Sequence, residues 1–580
     1  MKIFQQITLA TIVFFVFFAW GQEQSEDVLV KALQDEMQRT LSELKDEEES
    51  SGEIYFVSYR VVDTRYVSNN YELGGAVATT RGGNRMLEVD LRVGSYEVDQ
   101  SNFMGRGVSN SPFSSPLPLE DDYDEIRRVA WRVTDEVFKS RINAYAQKQT
   151  ALANQTSAEE RDPDFTKEEA FEYRSEHKFD DDQLASFAAT GKDLSALFKG
   201  AADIYSSRVT TTAANRRSVF LNSEGTFVDL EEQKCEILTT ASTQNENGQE
   251  LRDFRAHIAI DCSELPDAKT MKSDVQGMIS SLQAMRLASE LEEVYFGPIM
   301  FEGQAAAQFL KTYLISKLST SRPPLTANPG QFRPDRNSFM DRIGARIASR
   351  QINVVNDPTL TEYEGRRLIG SYPVDLEGVP PQRTLLVEQG RLQTMLTTRT
   401  PVDDFRNSNG STRWISGFSG GAGVPGNVLI EPEDGLSAED MKEELWQLLD
   451  DFNVDFGVVV RQISSPSAIT GSARGLASVM EAYKIYPDGR EEMLAPVEIL
   501  DITDRTLRDI VAVSEEVTQF DTTHYNRTGM NSIPVSIVAP SFIIEELGVR
   551  KVQGSGSLPP VVPHPYAEAP TFEDSEGSSF

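Results

Sequence analysis

The chain has 580 residues, of which 39% are hydrophobic, so it is long enough for two or more domains and apolar enough to fill their cores. Asp and Glu number 90 against 56 Lys and Arg, and the formal net charge is −34. The apolar content excludes a wholly disordered chain, and the acidic charge without a basic stripe argues against nucleic-acid binding. Four histidines and two cysteines leave few side chains for a zinc or copper site.

Residues 1–21 have the pattern of a secretory signal peptide. Lys2 supplies a positive start, an apolar run follows over residues 7–20, and Ala19 and Gly21 are small residues at the positions that a signal peptidase reads. The apolar run of about 14 residues is shorter than the roughly 20 needed to span a bilayer. We therefore expect cleavage near Gly21, an extracytoplasmic (periplasmic or secreted) protein, and no membrane span in the mature chain.

The first half of the chain reads as an N-terminal α/β domain over residues 22–290, with an antiparallel sheet and long helices. Helical periodicity covers residues 28–44, 123–151 and 268–293. Alternation of apolar and polar residues predicts strands over 54–62, 86–93, 227–241 and 251–262. The Ser/Pro-rich stretch 109–118 is predicted to be a loop, and the acidic stretch 154–182 a surface excursion.

The two cysteines lie on the arms of one predicted hairpin. If the turn is centred on 247–248, Cys235 lies opposite Ile260 and only diagonal to Cys262. If the turn is centred on 248–249, the two cysteines face each other directly. An exported chain can form a cross-strand disulfide, whereas diagonal neighbours are too far apart without adjustment. Both alternatives remain open from the sequence.

The second half is rich in Gly and Pro and predicts a strand-rich C-terminal domain over residues 291–552. Its helices are expected at 305–318 and 438–452, and its strands at 383–388, 454–463, 477–485 and 536–545. The tail 553–580 is rich in Pro, Ser and Gly and has too few apolar residues to order itself. The expected fold class is therefore α+β.

Residue types alone indicate no catalytic site. The histidines, His177, His257, His524 and His564, are too far apart in sequence for a helical or strand-borne metal motif. A Gly-x-Ser-x-Gly nucleophile elbow is missing, and Ser472 in a run of small residues is the nearest approach. Composition and spacing therefore predict an acidic, exported α+β protein and nothing more specific.

Several segments go further, because they resemble the TldD/PmbA family of metallopeptidases. The most specific is 375–392 (DLEGVPPQRTLLVEQGRL), since a similar Gln-Arg-Thr segment in that family precedes a strand, a turn and a second strand. Residues 341–349 (DRIGARIAS), 354–358 (VVNDP) and 408–413 (SNGSTR) resemble further motifs, and 222–225 (NSEG) a shorter one in the N-terminal half.

The resemblance implies an N-terminal α/β domain, a strand-rich C-terminal domain and dimeric assembly. It also suggests a substrate groove between the domains, near Gln382, Arg383, Thr384, Asn409 and Arg413. A structural interpretation stands beside this one, since Arg383 could brace the turn that precedes it and Asn409 begins a common turn dipeptide.

Active members of the family hold zinc with a His-Glu-x-x-x-His helix and a later cysteine. In the register that retains Glu302, the two ligand positions hold Phe301 and Ala306, and residues 528–532 contain no sulfur where the cysteine is expected except the thioether of Met530. Hydrocarbon cannot donate electrons to a metal, so we predict no metal ligands and no bound cofactor. Glu302 is the remaining candidate for a catalytic residue.

The sequence thus favours an exported relative of the metallopeptidases without its own zinc site. Some family members lack the zinc motif and act as partner subunits of a metal-bearing paralogue. We therefore expect a partner subunit or peptide-binding protein in proteolysis, in a homo- or hetero-dimer, with a peptide or protein as substrate. The alternatives are an active peptidase with a different catalytic set, or an extracytoplasmic structural or binding protein.

Overall fold

The computed structural model describes residues 27–44, 52–108, 111–154, 161–175, 188–201, 203–326, 337–416, 420–463, 477–525 and 532–552. The predicted signal peptide and the tail 553–580 lie outside these residues. The described chain mixes helices with two large sheets, which confirms the predicted α+β fold class.

Six helices lie in the described residues, and most begin at a side chain that caps the first turn. The carboxylate of Asp27 accepts a hydrogen bond from Val30 N at 3.1 Å, and Asp122 and Ser437 cap later helices in the same way. Helical periodicity located five of them, three to within two residues at each end. The helices are α1 (Val28–Glu43), α2 (Tyr123–Ala153), α3 (Ala188–Ala196), α4 (Ala268–Arg286), α5 (Gly303–Tyr313) and α6 (Ala438–Phe452).

The first half contains a seven-stranded sheet whose long strands are antiparallel. Its order is β4-β2-β1-β6-β7-β5, with β8 paired to another part of β7. The strands up to residue 259 are β1 (Ile54–Glu72), β2 (Gly75–Val93), β3 (Phe103–Met104), β4 (Phe113–Pro116), β5 (Glu172–Arg174), β6 (Ser206–Asn222), β7 (Phe227–Gln244) and β8 (Glu250–Ala259). Apolar residues from all four N-terminal helices pack on one face of this sheet.

Three expectations for this half need correction. The predicted strands 54–62 and 86–93 are the ends of two strands of 19 residues each, joined by a tight turn. The predicted loop 109–118 includes strand β4 on the edge of the sheet. The predicted surface excursion or insertion 154–182 is partly internal over residues 161–175, since Asp164 is fully buried against Lys148 while residues 167, 169, 170, 172 and 174 are exposed.

The second half contains an eleven-stranded sheet, and five of its strands close a ring in the order β9-β19-β20-β22-β24. The predicted strand 536–545 is the middle of β24, which pairs with four other strands. The strands are β9 (Tyr295–Phe301), β10 (Leu325–Thr326), β11 (Ile352–Asn356), β12 (Glu362–Tyr363), β13 (Arg366–Arg367), β14 (Thr384–Glu388), β15 (Arg391–Leu392), β16 (Thr412–Ser416), β17 (Gly420–Gly423), β18 (Asn427–Pro432), β19 (Gly457–Ile463), β20 (Ala477–Ile485), β21 (Glu491–Met493), β22 (Val497–Leu500), β23 (Ile510–Tyr525) and β24 (Ser532–Lys551).

The two halves contact each other through polar segments. The boundary predicted at 290–291 lies between α4 and β9. Strand β3 of the first half pairs in parallel with β10 of the second. Residues 161–175, which we call the cross segment, also join the two halves. Thr166 N donates to Arg399 O in the second half at 2.9 Å, and β5, which lies in the cross segment, pairs with β7 of the first half.

Candidate functional site

The loop that carries the Gln-Arg-Thr motif is braced by two buried carboxylates. Asp375 accepts hydrogen bonds from the backbone N–H groups of Glu377 and Val379, each at 2.9 Å, and of Thr412 at 3.0 Å. Glu377 accepts from Thr412 Oγ1 at 2.7 Å and from Arg399 N at 2.9 Å. Burial, assisted by the neighbouring charge of Glu377, raises the pKa of Asp375 to about 7. These acids therefore hold distant parts of the loop together.

The structure brings two of the predicted groove residues together. Gln382 N donates to Asn409 O at 3.2 Å. The Asn409 side chain bonds inside its own loop, since Oδ1 accepts from Thr397 N at 2.9 Å and Nδ2 donates to Met395 O at 3.0 Å. Among these groups, only the side chain of Gln382 faces solvent.

The remaining groove candidates, Arg383, Thr384 and Arg413, differ in their exposure and their contacts. Arg383 is 59% exposed, and its guanidinium lies 3.8 Å from Asp357, whereas Thr384 begins β14. Arg413 donates to Pro425 O at 2.7 Å and lies over the ring of Tyr372, and burial lowers its pKa. Arg383 is therefore available to a ligand, while Arg413 holds the loop.

A buried arginine joins this loop to the motif in the N-terminal half. Arg399 is fully buried, and its guanidinium donates to Glu224 Oε1 at 2.7 Å and to Thr166 O at 3.1 Å. Glu224 belongs to the segment 222–225 that resembles the family, and Tyr96 also donates to it at 2.7 Å. Two segments far apart in sequence thus meet through one ion pair, which sequence reasoning did not identify.

An aromatic ring of the cross segment completes the junction. Phe165 is buried between the guanidinium groups of Arg92 and Arg399. These groups lie 3.6 Å and 4.0 Å from the centre of its ring, respectively. The ring also meets Phe56 edge-on at 5.2 Å between centroids. Such cation–π contacts are strongest where water is excluded, as it is here.

A small cavity with charged and aromatic lining residues lies beside this junction. Its volume is about 30 Å³, enough for water but not for a peptide side chain. Its charged lining includes Arg60, Glu88, Asp90, Arg92 and Glu377. Arg60 also donates to Leu376 O in the motif loop. The cavity is therefore part of the contact between the halves.

The two positions that the family resemblance aligns with zinc ligands carry buried hydrocarbon. Phe301 ends strand β9 and is fully buried, with its ring centroid 4.7 Å from Phe309 and 5.0 Å from Phe542. Ala306 is fully buried in α5. Within the described part of the chain, His, Cys, Asp and Glu side chains form no group of three that could hold a metal ion. The expected position of the later cysteine lies almost wholly outside the described residues.

Glu302 lies between these two positions, directly before α5. Its carboxylate bonds Arg461 Nε at 2.9 Å, and Arg461 also contacts Glu491 at 3.0 Å. Glu302 is about one-third exposed. Glu302 therefore has a charged partner, and within the described ranges it belongs to no group of three metal-ligating side chains.

Of the four histidines, the structure describes the side chain of His257. Its Nε2 lies 3.6 Å from Asp274, and burial lowers the histidine pKa. It packs between β8 and α4, as expected for a packed or paired histidine. Ser472 and the side chains of the other histidines lie outside the described residues.

Cys235 and Cys262 form a disulfide, with their Cα atoms 5.2 Å apart. The register matches neither predicted alternative, because Cys235 lies opposite Ala259. The turn is wider than expected, since Asn245 N donates to Gln249 O at 3.1 Å. Cys262 follows the end of β8 in a short 3₁₀ turn, which returns its side chain towards Cys235.

No helix among the described residues has both the length and the apolar character to cross a bilayer. The described features define a two-part α+β protein whose halves meet around one braced polar loop. Residues 296–551 match the family described as PmbA/TldA metallopeptidase C-terminal domain. The second half of this chain is therefore similar to that C-terminal domain, and the matched residues make up less than half of the chain.

A curated relative and three solved structures are similar to the chain. Metalloprotease MJ0996 of Methanocaldococcus jannaschii is 29% identical over 171 residues, which are 28% of this chain and 34% of that protein. The match thus spans about a third of the relative. TldE from Thermococcus kodakarensis is 16% identical with a TM-score of 0.54, covering 90% of this chain and 100% of that one.

Two further structures extend the same likeness. The Thermotoga maritima protein TM0727, described as a candidate modulator of a DNA gyrase, has a TM-score of 0.53 and 16% identity over 85% of this chain and 96% of its own. A Bacteroides thetaiotaomicron protein of similar description has a TM-score of 0.56 and 12% identity, covering 90% and 99%. At these identities the likeness shows a shared fold across most of the chain.

Proposed function

We propose that this protein is an exported PmbA/TldD-family member without its own zinc site, and that it acts as a partner subunit or peptide-binding protein in proteolysis. The observation that carries the proposal is the pair Phe301 and Ala306, buried in the core of the matched domain. A catalytic zinc needs about three protein ligands and an open position for water. A phenyl ring and a methyl group supply no ligand, so no metal-bound water would form at these positions.

Export is supported by two independent features. The sequence begins with the pattern of a signal peptide over residues 1–21. The only two cysteines of the chain, Cys235 and Cys262, are joined in a disulfide. Disulfides persist in oxidising compartments such as the periplasm and the extracellular space, and they are rare in the cytosol. We therefore assign the protein to an extracytoplasmic compartment.

The partner role is supported by the family resemblance and by the intact motif loop. The loop retains its buried carboxylates and leaves Gln382 and Arg383 exposed, where they can contact a peptide or a second protein. The likeness to TldE agrees with the expectation of a two-subunit assembly. A zinc-bearing paralogue would then supply the hydrolytic step.

The direct test is zinc content. The purified full chain and Metalloprotease MJ0996 are loaded with zinc, passed through gel filtration, and measured by atomic emission. We expect stoichiometric zinc in the relative and only traces in this protein. One tightly held zinc per chain would overturn the proposal. N-terminal sequencing of the native protein tests export separately, because a chain that begins at Met1 has kept its leader.

Peptidase assays distinguish the alternative of an active enzyme. We expect no hydrolysis by the chain alone and recovery of hydrolysis with a co-purifying zinc-bearing relative. Hydrolysis that survives chelator but is lost in Glu302→Ala would establish a different catalytic set. Glu302→Gln is the matched control, since it keeps the size of the side chain and removes its charge.

A further inference from the structure

The outer face of the C-terminal sheet carries apolar side chains beside the point where the described chain ends. The inward-pointing residues of β9, β22 and β24 belong to the main core, as Tyr295, Val497 and Val549 do. Side chains alternate between the two faces along a strand, so the positions next to these residues face outward. The outward apolar residues, which we call the exit strip, are Val294, Phe296, Leu500 and Val552.

The exit strip is exposed and runs across the three strands. Phe296 is 54% exposed. Phe296 and Leu500 meet over Gly548, since a Cβ on this glycine would lie 2.9 Å from Phe296 Cε1 and 3.3 Å from Leu500 Cβ. At the other end, Val552 N donates to Pro496 O at 3.1 Å, so the pairing with the β22 side continues to the last described residue. A contiguous exposed apolar surface is a typical contact site.

The chain continues from the exit strip with residues 553–580, which lie outside the described residues. Residues 553–557 (QGSGS) consist of Gly, Ser and Gln, and a chain of this composition spans about 12–15 Å on average between Val552 and Leu558. Gly548, which is paired with Phe296, precedes Val552 by four residues, so Phe296 lies about 13 Å back along the sheet. Leu558 therefore has the reach to arrive at the far end of the strip.

The segment that follows this linker has a composition that fits the exit strip. Residues 558–566 (LPPVVPHPY) combine four prolines with Leu, Val and Tyr. Proline-rich segments favour the polyproline II conformation, lose little entropy on binding, and dock on exposed aromatic side chains. Residues 553–567 also contain no Asp, Glu, Lys or Arg, in a chain with a formal charge of −34. Such a segment can cover the strip without burying a charge.

We infer that residues 558–566 of the chain's own tail dock on the exit strip, with Phe296 at the centre of the contact. The tail packs on the outer face of the sheet and does not add a strand, because proline cannot donate ladder hydrogen bonds. The contact is small, and a short linker supplies an effective concentration on the order of millimolar. Docked and free states of the tail therefore interconvert, and docking adds little to the stability of the fold.

The charges beside the exit strip favour a tethered occupant over a partner from solution. Lys551 pairs with Glu290 at 3.3 Å, and Arg550 pairs with Glu498 at 2.9 Å. These cations are already paired, so they offer little attraction to a charged partner. A tethered segment needs no such attraction, since the linker holds it near the strip.

This inference goes beyond the proposed function, which assigns no role to residues 553–580 or to the outer face of β9. It is also independent of it, since zinc content reports on Phe301 and Ala306, which are buried in the core. A failure of either proposal is therefore recognised by its own experiment.

Disulfide trapping in the full chain tests the contact. The native cysteines are bonded to each other, so Val294→Cys and Val561→Cys together add two free thiols. Val294 is 48% exposed on the strip. We expect mild oxidation to join these thiols within one chain about tenfold faster than in the matched control, Ser289→Cys with Val561→Cys. Ser289 is exposed near the chain exit, because it accepts from Ala495 N next to Pro496, but it does not belong to the strip.

Charged substitutions in the double-cysteine chain identify the side chains that make the contact. Phe296→Asp places a charge at the centre of the strip, and Val562→Asp places one in the tail. Each should lower the crosslinking rate to that of the Ser289 control, whereas Phe296→Leu should retain the fast rate. Circular dichroism verifies that the variants are folded. Equal rates for the Val294 and Ser289 pairs, a rate that neither Asp variant lowers, or crosslinks that form only between chains would overturn the inference.

Discussion

Asp375 is a carboxylate whose environment opposes its charge. Three backbone N–H groups bond to it, but it is buried and lies near Glu377. Burial and the second acid raise its pKa to about 7, against an ordinary value of 3.8. The folded protein therefore binds a proton at this site between about pH 4 and pH 7, whereas the unfolded chain does not.

The stability of the protein should consequently fall as the pH rises through this window. For a group that holds more protons in the folded state, the free energy of unfolding decreases with pH until the folded pKa is passed. In Asp375→Asn the amide N–H₂ faces a backbone donor, so we expect the free energy of unfolding at pH 5 to be about 1–3 kcal/mol lower than in the wild type. This difference between variant and wild type should shrink towards pH 8, because only the wild type loses stability across the window. Urea unfolding at both pH values measures the difference.

The exposed Asp404 provides the control for this experiment. Asp404→Asn should follow the wild type at each pH, since it leaves the buried acid in place. The opposite result would be a difference in the free energy of unfolding between Asp375→Asn and the wild type that stays constant or grows with pH. It would show that the N–H donors stabilise the charged carboxylate by more than burial destabilises it.

The residues of the junction differ in how far sequence could identify them. Asp375, Glu377 and Glu224 lie in segments that resemble the family, although no role was predicted for these three side chains. Arg399 and Phe165 were missed, because their roles depend on contacts with residues far away in the chain. An isolated arginine or phenylalanine in a polar stretch has no local pattern that distinguishes a buried contact from a solvated one.

The cross segment shows how an acidic, polar stretch can become an internal element. Asp164 accepts from Lys148 Nζ and Arg161 Nη2, each at 2.6 Å, and from Asp99 N at 2.9 Å. A buried charge is tolerated only when it is paired and hydrogen-bonded in this way. The partners come from α2 and from residues near β3, so the segment cannot be placed from its own composition.

Phe165 should anchor the cross segment between the two halves. Removing a buried phenyl ring costs about 3–5 kcal/mol, so Phe165→Ala should lower the free energy of unfolding by about that amount. It should also speed hydrogen exchange at Thr166 N–H, which now bonds Arg399 O at 2.9 Å. Mass-spectrometric exchange over residues 161–175 measures the second effect.

Phe296 is a suitable control because its side chain is 54% exposed. Phe296→Ala should change stability by less than about 0.5 kcal/mol and leave exchange in the cross segment unaltered. If the two variants behaved alike, the ring of Phe165 would not be the anchor.

The secondary structure was predictable where burial imposes a period. Helices α1, α2 and α6 and strand β20 were located closely, since one face of each contacts a core. The second half of β1 and the first half of β2 were missed. These segments consist largely of Thr, Asn, Gly and Ala, and β2 there contacts no core, so no alternation marks them as strands.

The position of β24 determines when the second half can fold. This strand forms ladders with β9, β18, β22 and β23, yet it is the last described strand to be synthesised. The ring cannot close until residue 551 has left the ribosome, so β9 waits unpaired on that side through the synthesis of the whole domain. Exposed strands of this kind aggregate readily. A nascent chain of this protein therefore exposes one edge of β9 until translation is nearly complete.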